Sequence, residues 1–276
     1  MKIITALFLL LCMQQAGAQI RSLNEKPFVL GVANEIESKA MGEKRVLNIY
    51  LPAGYNDTTY YPVVYLLDGS ADEDFIHVAG IYQFNNFEWV NRAAPSIIVG
   101  IGTVDRRRDL TYPTTIEADK KRYPTTGGSE KFMDFLQKEL QPYIEKKYRT
   151  NNVKTIIGES LGGLFATEVL LKRPSLFTRY IIVSPSLWWD DGSLLKFKTD
   201  LLKNADTKNI KVYIGVGKEG LYLGVSPHVG EVDANVLADK IRAVLPNVYF
   251  DYLPEENHAT VMHEAVMHAV KWLGRE

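Results

Sequence analysis

Cysteine is nearly absent from these 276 residues: the single one, Cys12, lies in the apolar opening stretch. Residues 19–276 therefore have no thiol for a disulfide, a thiolate metal site or a cysteine nucleophile, and stability there must come from the packed core. An excess of either charge is lacking too. With 32 basic and 33 acidic residues, the chain carries no electrostatic footprint for nucleic acid or for an anionic membrane surface. Long apolar runs are also missing. Ile3 to Cys12 is ten residues, against the roughly 20 that a membrane-spanning helix needs, and no later stretch approaches that length, so no membrane span is expected. There is no internal repeat.

The opening stretch reads as an address. Lys2 gives a positive start, Ile3 to Cys12 an apolar run, and Ala16-Gly17-Ala18 a small-residue cleavage site. Residues 1–18 are expected to be a cleaved signal peptide, the mature chain to begin at Gln19, and the protein to be periplasmic or secreted. Leu9-Leu10-Leu11, just before Cys12, lack the small residue of a lipid-anchor site. Residues 19–276, in a chain 46% apolar and 24% charged, suit a single globular domain.

Strand-like runs recur at Phe28 to Ile36, Arg45 to Leu51, Val63 to Leu67, Ile97 to Ile101, Val153 to Ile157, Tyr180 to Val183, Val212 to Val216 and Val248 to Leu253. From Val63 onward they alternate with helical patterns at Phe75 to Val90, Ser129 to Tyr148, Ser160 to Lys172, Val232 to Val244 and Thr260 to Leu273, with a weaker one at Ser193 to Leu202. Such alternation predicts an α/β protein with a mostly parallel eight-stranded sheet and helices on both faces. The short link at Met41-Gly42 predicts that the first two strands pair as an antiparallel edge. Tyr112 to Gly128 and Gly217 to Gly230 read as loops leaving that sheet.

Chemistry concentrates at Gly158-Glu159-Ser160-Leu161-Gly162, a GxSxG pentapeptide between the strand ending at Ile157 and an amphipathic helix. Small residues two before and two after the serine let the chain turn sharply and expose the hydroxyl at the sheet's carboxyl edge, which marks Ser160 as a nucleophile. A serine needs a base. The histidines are His77, His228, His258, His263 and His268, and His258 follows the last predicted strand, in the Ser…acid…His order of α/β-hydrolases. His263 and His268 lie five apart on the terminal helix. They diverge by about 140°, which disfavours a shared zinc and leaves them as surface residues.

The acid should follow the strand at Val212 to Val216, where Glu219 is the first carboxylate and Glu231 and Asp233 are alternatives. Glu255 and Glu256 are near His258 in sequence but are expected to point elsewhere. Gly215 to Gly220 also spells GxGxxG, yet opens no helix directly and is not read as a dinucleotide site. For the oxyanion, Leu161 supplies the backbone amide after the nucleophile. A second amide is expected at Ser70, after the buried strand Tyr61 to Leu67 and its Asp68-Gly69 turn.

These motifs, with Arg45 to Pro52, Asp105 to Thr111, Lys138 to Ile144 and Ser184 to Trp189, resemble the esterase family of α/β-hydrolases that includes esterase D, feruloyl esterases, mycolyltransferases and ferric enterochelin esterases. The resemblance covers nearly all of residues 19–276. The Ser184 to Trp189 motif is most similar to the siderophore-esterase branch, and Asp68 stands where many esterases have histidine. The resemblance implies an α/β-hydrolase fold and a serine carboxylic-ester hydrolase that needs no cofactor and no metal, carrying its roles onto Ser160, His258 and Glu219. Trp188 and Trp189 are read as an aromatic wall or as packing. Arg106, Arg107 and Arg108 are read as holding an acidic substrate or as solvated, with Arg107 the substrate-contact candidate. The expected partner is a small-molecule or saccharide-linked ester. Alternatives are an acyltransferase with the same triad and a non-catalytic binding module on a hydrolase fold.

Overall fold

The computed structural model describes residues 20–204 and 207–274, so the signal-peptide reading of residues 1–18 and the start at Gln19 lie outside the described residues. Its strands are β1 (Val32–Ser38), β2 (Glu43–Tyr50), β3 (Tyr61–Leu66), β4 (Ile97–Ile101), β5 (Thr150–Glu159), β6 (Arg179–Val183), β7 (Lys211–Gly217), β8 (Leu221–Tyr222), β9 (His228–Val229) and β10 (Val248–Leu253). Eight of them form one sheet in the order β1-β2-β4-β3-β5-β6-β7-β10. β1 and β2 are antiparallel to their neighbours, and every pairing from β4 to β10 is parallel.

Burial follows from that order. β3 and β4 sit inside the sheet, and all their residues are buried, as the apolar runs Tyr61–Leu66 and Ile97–Ile101 require of strands covered on both faces. β1 lies at the edge and runs later than its sequence pattern predicts. Val32 pairs with Ile49, and Pro52 follows soon after β2, so Phe28 and Val29 have no partner strand and stay exposed. The turn between β1 and β2 passes through Gly42 at φ 72°, where a Cβ would strain the backbone.

Helices cover both faces. On one side, α1 (Phe75–Asn86) and α8 (Val261–Leu273) bury Phe75, Val78, Val266 and Val270 against Tyr50, Val64, Ile98 and Tyr213 of the strands. On the other lie α4 (Ser129–Phe135), α5 (Gln141–Lys147), α6 (Leu161–Lys172) and α7 (Gly230–Arg242). Helix α6 is buried from Gly162 to Leu171, as expected of a helix enclosed on all sides.

The helix predicted from Ser129 to Tyr148 is interrupted by a π-turn at Leu136–Leu140. Pro142 gives the reason: it has no N–H for the carbonyl of Lys138, and its ring crowds that carbonyl, so the turn before it widens. The weak pattern at Ser193 to Leu202 forms two 3₁₀ turns, Ser193–Lys196 and Asp200–Lys203.

Two short helices lie in segments without helical periodicity, α2 (Arg106–Leu110) and α3 (Glu117–Arg122). The Asp105 side chain caps α2 by accepting the Arg108 amide at 3.0 Å. Ion pairs then fasten α2 to β2. Buried Arg45 reaches Asp109 at 2.5 Å and Glu43 at 2.6 Å, while Arg108 holds the same two carboxylates at 2.7 and 2.6 Å. Hydrogen bonding from Arg108, aided by the charge of Arg45, holds the Glu43 carboxyl below its usual range against the opposing effect of burial.

Candidate active site

Three strands deliver the site at their carboxyl ends. Ser160 follows β5, Glu219 lies two residues past β7, and His258 lies between β10 and α8. Ser160 has φ 58° and ψ −116°, a strained non-glycine geometry at a sharp strand-to-helix elbow. The flanking glycines permit it. A Cβ at Gly158 would lie 2.4 Å from the Gly162 carbonyl oxygen, and one at Gly163 would lie 2.7 Å from that of Val183.

A continuous line of hydrogen bonds connects the three side chains. His258 Nε2 is 3.1 Å from Ser160 Oγ, and His258 Nδ1 is 2.8 Å from Glu219 Oε2. A second hydroxyl, that of Ser186, is 3.2 Å from Ser160 Oγ. Glu219 is buried and His258 is partly exposed. Burial pushes the Glu219 carboxyl up, but donors including His258 and Tyr222, with the imidazolium charge, outweigh it and leave the carboxyl below its ordinary range. The hydrogen bond to Glu219 raises His258 above the ordinary imidazole value. Burial opposes this, and the charges of Glu219 and Glu159 reinforce it.

The alternative acids are engaged elsewhere. Glu231 accepts the amides of Glu219 and Gly220 at 3.2 and 3.0 Å, and Asp233 is 2.7 Å from His228 Nδ1. Glu255 is exposed. Of the expected oxyanion donors, Leu161 opens α6, where a first-turn N–H has no helical acceptor. The Ser70 amide is engaged: it donates to Glu73 Oε2 at 3.2 Å, within a turn closed by the Glu73 amide on the Ser70 carbonyl.

Ser160 opens onto a cavity of about 600 Å³. Trp188 and Tyr123 form its aromatic side, and Arg107 lines it with its guanidinium 4.7 Å from the centre of the Tyr123 ring. Trp189 and Arg106 also border the cavity, but each is engaged elsewhere. Trp189 is a core residue, 1% exposed, with its indole N–H bound to the Tyr112 carbonyl at 3.0 Å. Arg106 is occupied by a bidentate pair with Asp68, both contacts at 2.9 Å, and Arg108 belongs to the ion-pair network beside β2.

The terminal-helix histidines are accounted for by other partners. His268 contacts Asp251 at 2.7 Å and Glu264 at 3.0 Å, and His263 packs edge-on against His77. Among the described residues, no group of three His, Cys, Asp or Glu side chains is arranged to hold a metal, and no helix is long and apolar enough to cross a membrane.

Sequence reasoning missed two residues beside the relay. Tyr222 donates to Glu219 at 2.6 Å, and Glu159 places a buried carboxyl oxygen without a partner beneath the site. Burial drives the Glu159 carboxyl up to about 7. An ionisable residue at the buried end of β5 was a signal for Glu159; nothing in the sequence pointed to Tyr222.

The family model described as "Putative esterase" matches residues 38–236. The chain belongs to this esterase family. It is 34% identical to the ferri-bacillibactin esterase BesA of Bacillus subtilis over 194 residues, 64% of this chain and 66% of that protein. It is 28% identical to the siderophore triacetylfusarinine C esterase of Aspergillus fumigatus, over 56% of this chain and 55% of that one. The chain thus spans about two thirds or less of these curated relatives' length. Among solved structures of the fold, the IroE-like serine hydrolase of Shewanella oneidensis superposes with a TM-score of 0.76 at 31% identity, covering 88% of this chain and 80% of its own. The BES protein of Bacillus cereus superposes with a TM-score of 0.78 at 27% identity, covering 92% and 99%. The esterase-family chain has the α/β-hydrolase fold expected of it.

Proposed function

We propose that the protein is an exported serine carboxylic-ester hydrolase acting on a siderophore-type ester. The observation that carries the reading is the Ser160–His258–Glu219 relay, with links of 3.1 and 2.8 Å, at the mouth of a cavity lined by Trp188, Tyr123 and Arg107. In this reading Ser160 Oγ attacks the ester carbonyl while His258 Nε2 takes its proton. The tetrahedral oxyanion meets the Leu161 amide, and the Ser70 amide once it is released from Glu73. His258 then protonates the departing alcohol, leaving an acyl-Ser160. Water, deprotonated by the same imidazole, cleaves that ester to give the carboxylic acid and restores Ser160. Glu219 fixes the imidazole with Nε2 towards the serine and stabilises its charged form.

The names of the relatives support a siderophore ester, and the cavity suits one. An aromatic acyl group finds stacking surfaces in Trp188 and Tyr123, and an anionic or phenolate oxygen finds Arg107. Residues 1–18 support export, and a mature amino terminus at Gln19 is the expected result of sequencing the purified extracellular or periplasmic protein.

Ser160→Ala or His258→Ala is expected to abolish hydrolysis of nitrophenyl acetate and labelling by a fluorophosphonate. Full activity in the serine variant sinks the mechanism. A panel of esters read by product mass, with and without an acceptor alcohol, tests the substrate. Preference for a catecholate lactone supports the siderophore assignment, preference for acetylated sugars overturns it, and acyl transfer to the alcohol in place of hydrolysis identifies an acyltransferase.

A further inference from the structure

The hairpin β8/β9 carries a residue that touches both the acid of the relay and the wall of the ester cavity. Chain direction is fixed just before it: Gly220 turns at φ 75°, Glu231 holds the amides of Glu219 and Gly220, and the Gly230 amide closes onto the Gly220 carbonyl at 3.1 Å. Tyr222, thus placed, pairs with His228 across the hairpin. Its ring stacks on Trp188 with centroids 6.2 Å apart and planes 24° from parallel. Its hydroxyl donates to Glu219 Oε2 at 2.6 Å, the oxygen that also faces His258 Nδ1 at 2.8 Å, and lies 3.5 Å from Nδ1 itself. The other carboxylate oxygen, Oε1, is buried and makes no hydrogen bond of normal geometry, although the nearby Ser184 hydroxyl also helps to hold the Glu219 carboxyl low. Both of these donors therefore meet at one atom of Glu219.

We infer that Tyr222 is a positioning residue that couples the aromatic wall of the ester cavity to the acid–base pair: its hydroxyl fixes the Glu219 carboxylate against His258 while its ring backs Trp188. The inference rests on the hydrolase reading of the site. A carboxylate held by two donors at one oxygen cannot rotate that oxygen away from the imidazole without losing both bonds. Removing the phenol hydroxyl leaves that oxygen free to turn from Nδ1–H, which weakens its hold on the imidazolium. The other charged groups facing His258 are Glu159 at the end of β5 and Arg106 of α2, and Tyr222 also feels Glu231 of α7. None of these is altered by the substitution.

Tyr222→Phe keeps the ring and deletes the bond. It is expected to lower kcat roughly 10-fold, the effect of losing a hydrogen bond to a charged group, with KM for nitrophenyl acetate and for an aryl-acyl ester within about two-fold of wild type. In an NMR titration its His258 is expected to deprotonate at lower pH than in the wild type, since the Glu219 bond that holds the imidazolium is loosened. Tyr222→Leu is expected to add a rise in KM for the aryl-acyl ester, and Trp188→Leu to slow turnover of the acetate, whose acyl group is too small to need that wall. A wild-type kcat in Tyr222→Phe overturns the positioning role, as does a His258 that titrates at or above its wild-type pH. A Trp188→Leu variant impaired only on the aryl ester overturns the coupling. The titration needs no substrate, so it reads Tyr222 even if the ester panel fails. The absence of fluorophosphonate labelling in the wild type would instead count against the hydrolase reading.

Discussion

The two loops bordering the candidate site are built differently. The segment after β4, residues 103–128, is riveted by charge: Arg106 to Asp68, Arg108 to Glu43 and Asp109, and Asp190 to the Thr115 amide at 2.6 Å. The segment after β7, residues 217–230, has two short strands and a tip whose Leu221, Leu223 and Val225 face solvent, fastened at Ser226 by a 2.9 Å bond to Asp191. Yet the second loop carries Glu219, which must be held most accurately. Placement there comes from the base of the loop, through Glu231 and Tyr222, and owes little to its tip. A loop can thus be held by several hydrogen bonds at Glu219 and be exposed and sparsely packed four residues later at Leu223.

Substitutions can break that contrast. Glu219→Gln removes the charge at the base of the second loop and is expected to cost up to about 10⁴ in kcat with little change in Tm, measured by nitrophenyl ester turnover and thermal unfolding. Full activity would move the acid elsewhere. Asp109→Ala is the counterpart in the first loop. Because it removes one of the two carboxylates that pair with buried Arg45 and leaves Glu43 as its remaining partner, it is expected to destabilise by about 3 kcal/mol in denaturant unfolding, while kcat per folded molecule changes far less.

Glu159→Gln, between the two loops, has a pH signature. An acid raised to about 7 by burial stabilises the fold only while neutral, so that stability is lost as pH rises from about 4.5 through about 7. The glutamine variant should therefore gain Tm over wild type across that window and keep the gain above it. It also lacks the charge that helps raise His258, so the acid limb of its rate profile, where the imidazole base becomes protonated, should move to lower pH. Equal Tm differences at pH 4 and pH 8 would remove Glu159 as the cause. The smallest effect is expected at the tip: Leu223→Ser should change stability by no more than about 0.5 kcal/mol.

Much of this was legible in the sequence because it depends on local pattern. Apolar runs such as Ile97–Ile101 announce buried strands, and GxSxG announces an elbow because only glycine at its first position, Gly158, fits beside the Gly162 carbonyl; Gly163, just past the pentapeptide, fits in the same way beside that of Val183. His258 was legible from its place after the last strand. What stayed hidden depends on contacts between distant segments. Trp189 and Trp188 are neighbours in sequence, yet Trp189 is in the core with its indole N–H on the Tyr112 carbonyl while Trp188 lines the cavity. Arg106, Arg107 and Arg108 look alike as a run, yet Asp68, Tyr123 and Glu43 give each a separate task. Helix α2 has too few turns for periodicity to register, although Asp105 three residues before Arg108 is a cap signal. The Ser70 amide was placed correctly on its turn, but its occupation by Glu73 depends on a side chain that no strand-end motif specifies.

His258 and Ser160 are 98 residues apart in the chain, and β10, which delivers the histidine, lies beside β7 at the sheet's edge. A growing chain can therefore form the elbow and the aromatic cavity before it owns a base, while one face of the sheet still waits for α8 to bury Val266 and Val270. Reactivity at Ser160 is expected to arrive when β10 and α8 dock, so the onset of fluorophosphonate labelling would serve as a clock for that step.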